Sequence, residues 1–349
     1  MADGSQRGAG LLKAAIASIA AILAVVVLRE LRAIFIPFCI ALFLYFMLNE
    51  IVRKLQGWKI PKTLIMIGVL VGIFVALYLC GLLLFSGASS FIDHFPLYSE
   101  KISRLVRGVL ANLKLPLIDV RQYMAGIDWD NIFNPAQITA LVSGTMGTFT
   151  SFIGNLLLVL LLLMFMLGER VPMVARIART LSARQASEFQ GLVAAIEDRI
   201  RHYLFIKTLM SVATAALAAL ILLIGRVDFI IFSALLIFLL NFIPTFGSLL
   251  GTIFPVLITF LRYGFCLRLV LVCASLMVMQ FVTGNVVEPM IMGRRMNLSP
   301  IIILLSLIFW GWLWGVVGMF LAVPVTSAIK IVLESIPALV PVAAAMGSD

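Results

Sequence analysis

Charge is scarce in this sequence. Only 12% of its 349 residues are Asp, Glu, Lys or Arg, against 63% that are hydrophobic. A soluble domain carries about 25% charged residues and at most about half apolar ones. A chain this poor in charge cannot cover its apolar surface with groups that water tolerates, so it belongs in a bilayer. Histidine is nearly missing too, with only His94 and His202, both in interfacial segments. Cys39, Cys80, Cys266 and Cys273 all lie inside apolar runs without metal-ligand spacing, and they read as small core residues. The sequence has no Gly-x-Ser-x-Gly, no glycine loop ending in Gly-Lys-Ser/Thr, and no Asp within an apolar span. These absences argue against a serine hydrolase, ATP hydrolysis by the chain alone and an intramembrane aspartyl protease. The chain is therefore not read as an enzyme, and neither cofactor nor metal is implied.

What charge there is has a pattern. The net charge is +10, and the Lys and Arg residues cluster between apolar runs with no basic stripe of interleaved aromatics. That arrangement controls membrane topology and is not a nucleic-acid surface. The apolar runs then set the layout, an all-α polytopic membrane protein with about eight membrane segments. Residues 1–86 hold spans one to three, the first two read as a tight hairpin around Arg29, Glu30 and Arg32. Arg53, Lys54, Lys59 and Lys62 against Glu50 place the next loop, and with it the N-terminus, on the cytoplasmic side. Residues 87–139 balance acids and bases, and Ile102, Leu105, Val106, Val109, Leu110 and Leu113 mark an extracytoplasmic amphipathic helix. Span four is 140–167. Residues 168–204 form a cytoplasmic amphipathic helix with Ser187 and Gln190 at capping-box spacing.

The core of the reading is 205–335, followed by a tail at 336–349. Residues 229–261 and 301–333 are each far longer than the roughly 20 residues one crossing needs. Both are interrupted in the middle, the first by Asn241 to Gly247 with Pro244, then Gly251, and the second by Trp310 to Gly315 with Gly311. Irregular backbone survives at membrane depth only where protein or a water-filled cavity satisfies it. Two interrupted segments in corresponding positions are the expected sign of a transporter with repeated halves. Each reads as a re-entrant hairpin, with kinked crossings as the rival. Both models place the C-terminus in the cytoplasm. Lys330 reads as a snorkelling anchor.

Polar groups inside the spans are the functional candidates. Asn241, Thr245 and Ser248 are spaced as one helical face, and Gly247 and Gly251 form a small-residue pair. Gln280, Thr283 and Asn285 are candidates to line a solute or ion pathway. Glu288 is the first choice for a proton-coupling carboxylate and Asp228 the second; the bland alternative for Glu288 is an ion pair with Arg294 or Arg295. Pro289 is expected to end the helix that carries Glu288, because proline lacks an N–H and disfavours helical geometry before it.

Two stretches resemble a known family. Asn241 to Val256 (NFIPTFGSLLGTIFPV) is similar to the asparagine-proline-glycine segment of the AI-2E family of bacterial membrane proteins. Gln280 to Pro300 (QFVTGNVVEPMIMGRRMNLSP), followed by Gly311, Trp312, Gly315, Gly318 and Ala322-Val323-Pro324, resembles the same family's C-terminal signature, and the Arg201-Tyr203-Lys207 neighbourhood is similar as well. The resemblance implies an inner-membrane secondary transporter, homo-oligomeric, that exports a small furanone-type solute of the autoinducer-2 class. It implies sodium/proton antiport for some members. A sodium or lithium/proton antiporter and a non-transporting scaffold are the alternatives, and the poverty of buried acids disfavours the antiporter. The partners are then the lipid bilayer, a small polar solute, and H+ or Na+. Thr245-Phe246 depart from the family's usual residues after Pro244.

Overall fold

The computed structural model describes residues 22–58, 60–112, 135–168, 173–244, 246–292 and 298–347, with 16, 19 and 20. Among these residues the chain is helical and holds no strand. The helices are α1 (Arg32–Gln56), α2 (Lys62–Asn112), α3 (Pro135–Gly168), α4 (Met173–Ala178), α5 (Ala183–Ile224), α6 (Ile230–Leu240), α7 (Phe246–Tyr263), α8 (Leu267–Val282), α9 (Glu288–Met292), α10 (Pro300–Glu334) and α11 (Val340–Ala345). Seven helical stretches among the described residues are long and apolar enough to cross a membrane, and α6 is a shorter apolar helix. This is the polytopic all-α architecture that the charge-poor sequence dictates.

The chain forms two compact units. One comprises Met1–Ile67, Leu158–Phe205 and Arg294–Asp349; the other comprises Gly68–Leu157 and Ile206–Gly293.

In the first unit, residues 22–30 are helical and lead into α1 through Leu31 alone. No tight hairpin forms at Arg29 to Arg32. The Leu31 N–H donates to the Val27 carbonyl and the Phe35 N–H to the Leu31 carbonyl, so helical bonding carries through an offset of one residue. The reason is local: Arg and Glu are good helix formers, and neither Gly nor Pro stands there to reverse the chain. The helix start expected at Ser187 and Gln190 comes one pair earlier. The Ser182 N–H donates to Gln185 Oε1 at 3.3 Å, and the Gln185 N–H reaches Ser182 Oγ at 3.4 Å. That reciprocal box opens α5 at Ala183 and leaves Ser187 in the helix interior.

The second broken segment, α10, is a hairpin. Trp310 Nε1 donates to Thr326 Oγ1 at 3.1 Å. In an unbroken helix those residues would lie about 24 Å apart. The reversal is at Gly315, whose φ of 66° and ψ of −145° are open only to glycine. The two arms press so closely that a Cβ on Gly318 would fall 1.9 Å from the Trp310 carbonyl oxygen. Trp314 Nε1 donates to the Leu28 carbonyl at 3.0 Å, and Arg29 stacks on Trp312, so the turn is docked where the first helix is offset. Lys330 does not snorkel. It is 2% exposed, packed within the protein, and its ammonium lies 3.7 Å from Glu334, one turn on.

In the second unit, α6 and α7 form the other hairpin. A Cβ on Gly247 would lie 1.6 Å from the Leu240 carbonyl oxygen, and one on Gly251 would lie 3.2 Å from Ile237 Cα. With 11 residues, α6 is about 16 Å long, too short for the roughly 30 Å of a hydrocarbon core. Helices α5 and α8 run antiparallel: Gly225, just past the end of α5, packs on Val272 near the start of α8, while Lys207 pairs with Glu288 at the far end. Ala218 and Leu222 of α5, Ile237 of α6, Ile258 of α7 and Val272, Leu276 and Met279 of α8 build one buried apolar cluster. Four helices are thus fastened together at one end, leaving polar residues at the other.

Candidate functional site

One face of α5 changes character along its length. Lys207, Ser211, Thr214, Ala218 and Leu222 follow helical spacing and all are buried, at 3%, 0%, 1%, 0% and 0% exposure. The last two belong to the apolar cluster; the first three make a polar seam. A buried polar group must find partners or its desolvation goes uncompensated. Lys207 and Ser211 find theirs on two elements far along the chain.

Lys207 Nζ lies 2.5 Å from Glu288 Oε1, with side chains only 4% and 17% exposed. One turn along α5, Ser211 Oγ accepts a hydrogen bond from Asn241 Nδ2 at 3.1 Å. Asn241 is at the tip of the α6–α7 hairpin, in a turn held by the Ile243 N–H on the Leu240 carbonyl and the Gly247 N–H on the Ile243 carbonyl. The tip therefore reaches to about 6 Å, one helical turn, from the ion pair. Measured from Gly225 to Lys207, the pair lies about 27 Å along α5 from the apolar end, close to the thickness of a hydrocarbon core.

Helix α8 does not stop at Pro289. It passes through a π-helical stretch, Thr283–Val287, into α9, which ends at Met292. The wider π turn relieves the contact between a proline ring and the preceding turn that would otherwise break the helix. It also shifts the helical phase, which is how Glu288 comes to face Lys207. Of the other residues expected here, Thr283 is buried and its hydroxyl donates to the Met279 carbonyl at 2.8 Å. Gln280 Nε2 is buried and finds no acceptor among the described residues, and the buried Thr214 hydroxyl is in the same condition. Asn285 is exposed and turns its amide back to the Phe281 carbonyl, away from the seam.

Asn241, Thr245 and Ser248 do not share a helical face, because α6 ends at Leu240 and α7 begins at Phe246. Thr245, Arg294 and Arg295 lie outside the described residues, as do the side chains of 102–110. Pro244 is part of the hairpin turn, and Ser248 is half-buried in the first turn of α7. Gly311 and Gly315 belong to the α10 hairpin. Asp228, the second carboxylate candidate, is at the opposite end of this unit from Glu288. It pairs with Arg262 and accepts a hydrogen bond from Tyr98 at 3.3 Å. Burial, then the adjacent Asp228 carboxylate, pushes the Tyr98 phenol up to about 12. The residues that sequence reasoning did not single out are Lys207 as the partner of Glu288, and Ser211 and Thr214. Their i, i+4, i+7 spacing in an apolar span was the available signal. No group of three or more His, Cys, Asp or Glu side chains among the described residues is placed to hold a metal.

Residues 16–338 match the profile of the AI-2E family transporter. The AI-2 transport protein TqsA of Escherichia coli (strain K12) is 33% identical over 307 residues, covering 88% of this chain and 87% of TqsA. A protein of Haemophilus influenzae named for transport is 31% identical over 326 residues, covering 91% and 92%. YhhT of Escherichia coli (strain K12), also named for transport, is 31% identical over 319 residues, covering 89% and 88%. With the family profile spanning nearly the whole chain and a 33% identical relative matched over 88% of it, the chain belongs to the AI-2E transporter family.

Proposed function

We propose that this protein is a secondary transporter that exports a small polar solute of the autoinducer-2 class across the bacterial inner membrane, with Glu288 as the proton-coupling group. The observation that carries the reading is the buried Lys207–Glu288 pair one turn from the Asn241 tip of the α6–α7 hairpin. A buried ion pair is a weak source of stability, since its desolvation offsets most of its attraction. Its retention in an apolar span suits a device that opens. A proton arriving at Glu288 neutralises the carboxylate and releases Lys207, which then has only solute or water to face. Ser211, Thr214, Asn241 and Gln280 offer the hydroxyl and amide groups that would hydrogen-bond a hydroxylated solute in that state. The name of TqsA, an AI-2 transport protein, supports the solute class.

The test is flux of labelled autoinducer-2 in proteoliposomes, with and without a pH gradient, for wild type and Glu288→Gln. Gradient-driven flux that the variant loses, while it still carries solute down its own gradient, is the expected result. Collapse of the pH gradient on adding sodium or lithium, with no solute flux, would replace this reading with a cation/proton antiporter. Silence in both assays from folded protein would overturn transport of this solute.

A further inference from the structure

At the end of the second unit opposite Glu288, a cleft of about 370 Å³ opens between the end of α5 and the start of α8. Ile221, Ile224 and Gly225 form one wall and Leu267, Leu271 and Val272 the other, with Arg268 and Ser275 the polar groups among them. Its floor is fixed by the close approach of Gly225 to Val272, where a Cβ would come within 2.7 Å of Val272 Cγ2. Its rim is apolar and open: Ile224 is 75% exposed, Leu267 73% and Leu271 57%. The cleft lies where two candidate membrane spans end, Ala183–Ile224 and Leu267–Met292, so a membrane boundary runs past its mouth.

Basic residues outnumber acids around that mouth. Residues 225–268 carry Arg226, Arg262 and Arg268 against a single acid, Asp228. Asp228 is already engaged by Arg262 and Tyr98. Arg268 forms no ion pair among the described residues. Its guanidinium stacks 4.4 Å from the centre of the Tyr263 ring, and the Tyr263 hydroxyl donates to the Arg226 carbonyl at 2.7 Å, which fixes the ring. Stacking occupies the face of a guanidinium and leaves its edge N–H groups free for a planar or tetrahedral anion. Asp93, on α2, is the other described acid near this end, since its neighbour His94 packs on Phe229.

We infer that this cleft is a binding site for an anionic phospholipid, with one acyl chain lying between α5 and α8 and the phosphate on Arg268. A purely apolar wall would accept any lipid tail or a second protein. An apolar cleft whose mouth carries an oriented arginine that forms no ion pair among the described residues selects a tail that ends in a negative charge. Phosphatidylglycerol meets that description and phosphatidylcholine, with no net charge, does not.

The test is native mass spectrometry of the full-length protein reconstituted in equal phosphatidylglycerol and phosphatidylcholine, then released into detergent. Wild type should retain phosphatidylglycerol in preference by about fivefold, the factor given by about 1 kcal/mol per basic residue near an anionic lipid surface. Arg268→Gln, an exposed change that leaves the fold intact, should bring that ratio close to one, and Arg268→Lys should keep most of it. Leu271→Trp, which fills the cleft, should lower retention of both lipids. Equal retention of the two lipids by wild type would overturn the proposal, as would an unchanged ratio in Arg268→Gln. Displacement of the lipid by millimolar inorganic phosphate would reduce the site to a surface anion contact and overturn it too. A change in subunit number in Leu271→Trp with lipid retention unaltered would assign the cleft to a second copy of the chain.

Discussion

Neutralising the two members of the Lys207–Glu288 pair singly and together tests whether they are one energetic unit. Breaking a buried pair by removing one partner costs about 3–5 kcal/mol, because it strands the other charge. The two singles should differ within that range. The Lys207 side chain is 4% exposed and Glu288 17%. Glu288→Gln therefore strands the drier group and should cost about 5 kcal/mol, while Lys207→Met strands the wetter one and should cost about 3 kcal/mol. The double variant removes both charges and should fall within about 1–2 kcal/mol of wild type, since replacing a whole buried pair is often neutral. Unfolding by titrating SDS into dodecyl maltoside micelles, followed by tryptophan fluorescence, gives the three values. The coupling should exceed the roughly 3 kcal/mol that bounds most contacting pairs. Single costs that simply add in the double variant would refute the reasoning and reduce the pair to two independent side chains.

Other expectations follow from close approaches and hydrogen bonds. Gly247→Ala and Gly318→Ala place a methyl group 1.6 Å and 1.9 Å from a carbonyl oxygen across a hairpin, so each should cut the yield of monodisperse protein on size-exclusion chromatography; Gly284→Ala meets nothing within 4 Å and should leave it unchanged. Asn241→Ala leaves the fully buried Ser211 hydroxyl without its donor and should cost about 1–2 kcal/mol by the same SDS titration, with a larger loss in flux. The Tyr98 phenol is held neutral in the folded protein, its pKa raised from 10 to about 12. Its contribution to stability is thus complete below pH 10 and is lost as pH rises through 12. Tyr98→Phe should abolish that alkaline loss, together with one phenolate step near pH 12 in ultraviolet absorbance.

The hairpins were legible because length and interruption are both written in the sequence: far more apolar residues than a crossing needs, broken by Asn241 to Pro244 and by Gly311 to Gly315. Glu288 stood out as a carboxylate beside a long span. Its partner did not, since Lys207 is 81 residues away and Arg294 and Arg295 are close at hand. Distance along the chain hides an antiparallel pairing that spacing on a single helix cannot reveal. The π turn at Thr283–Val287 was likewise invisible, because a helix that absorbs Pro289 by changing its hydrogen-bond register has no composition signal of its own. The offset at Leu31 is hidden for the opposite reason. A cluster of charges looks like a loop, yet Arg and Glu propagate a helix as readily as they end one.

The separation of Lys207 from Glu288 also has a consequence for biogenesis. Asn241 follows Ser211 by 30 residues, but Glu288 follows Lys207 by 81. At about 5–20 residues per second, the lysine emerges from the ribosome about 4–16 seconds before the carboxylate that will neutralise it. During that interval a lone ammonium sits in an apolar segment awaiting insertion. The chain has to hold α5 at the insertion machinery, or at the membrane surface, until α8 and its π turn have been synthesised. Synthesis rate across residues 207–288 thereby becomes a determinant of correct assembly, and a ribosomal pause placed before Glu288 should send more nascent chains to quality control.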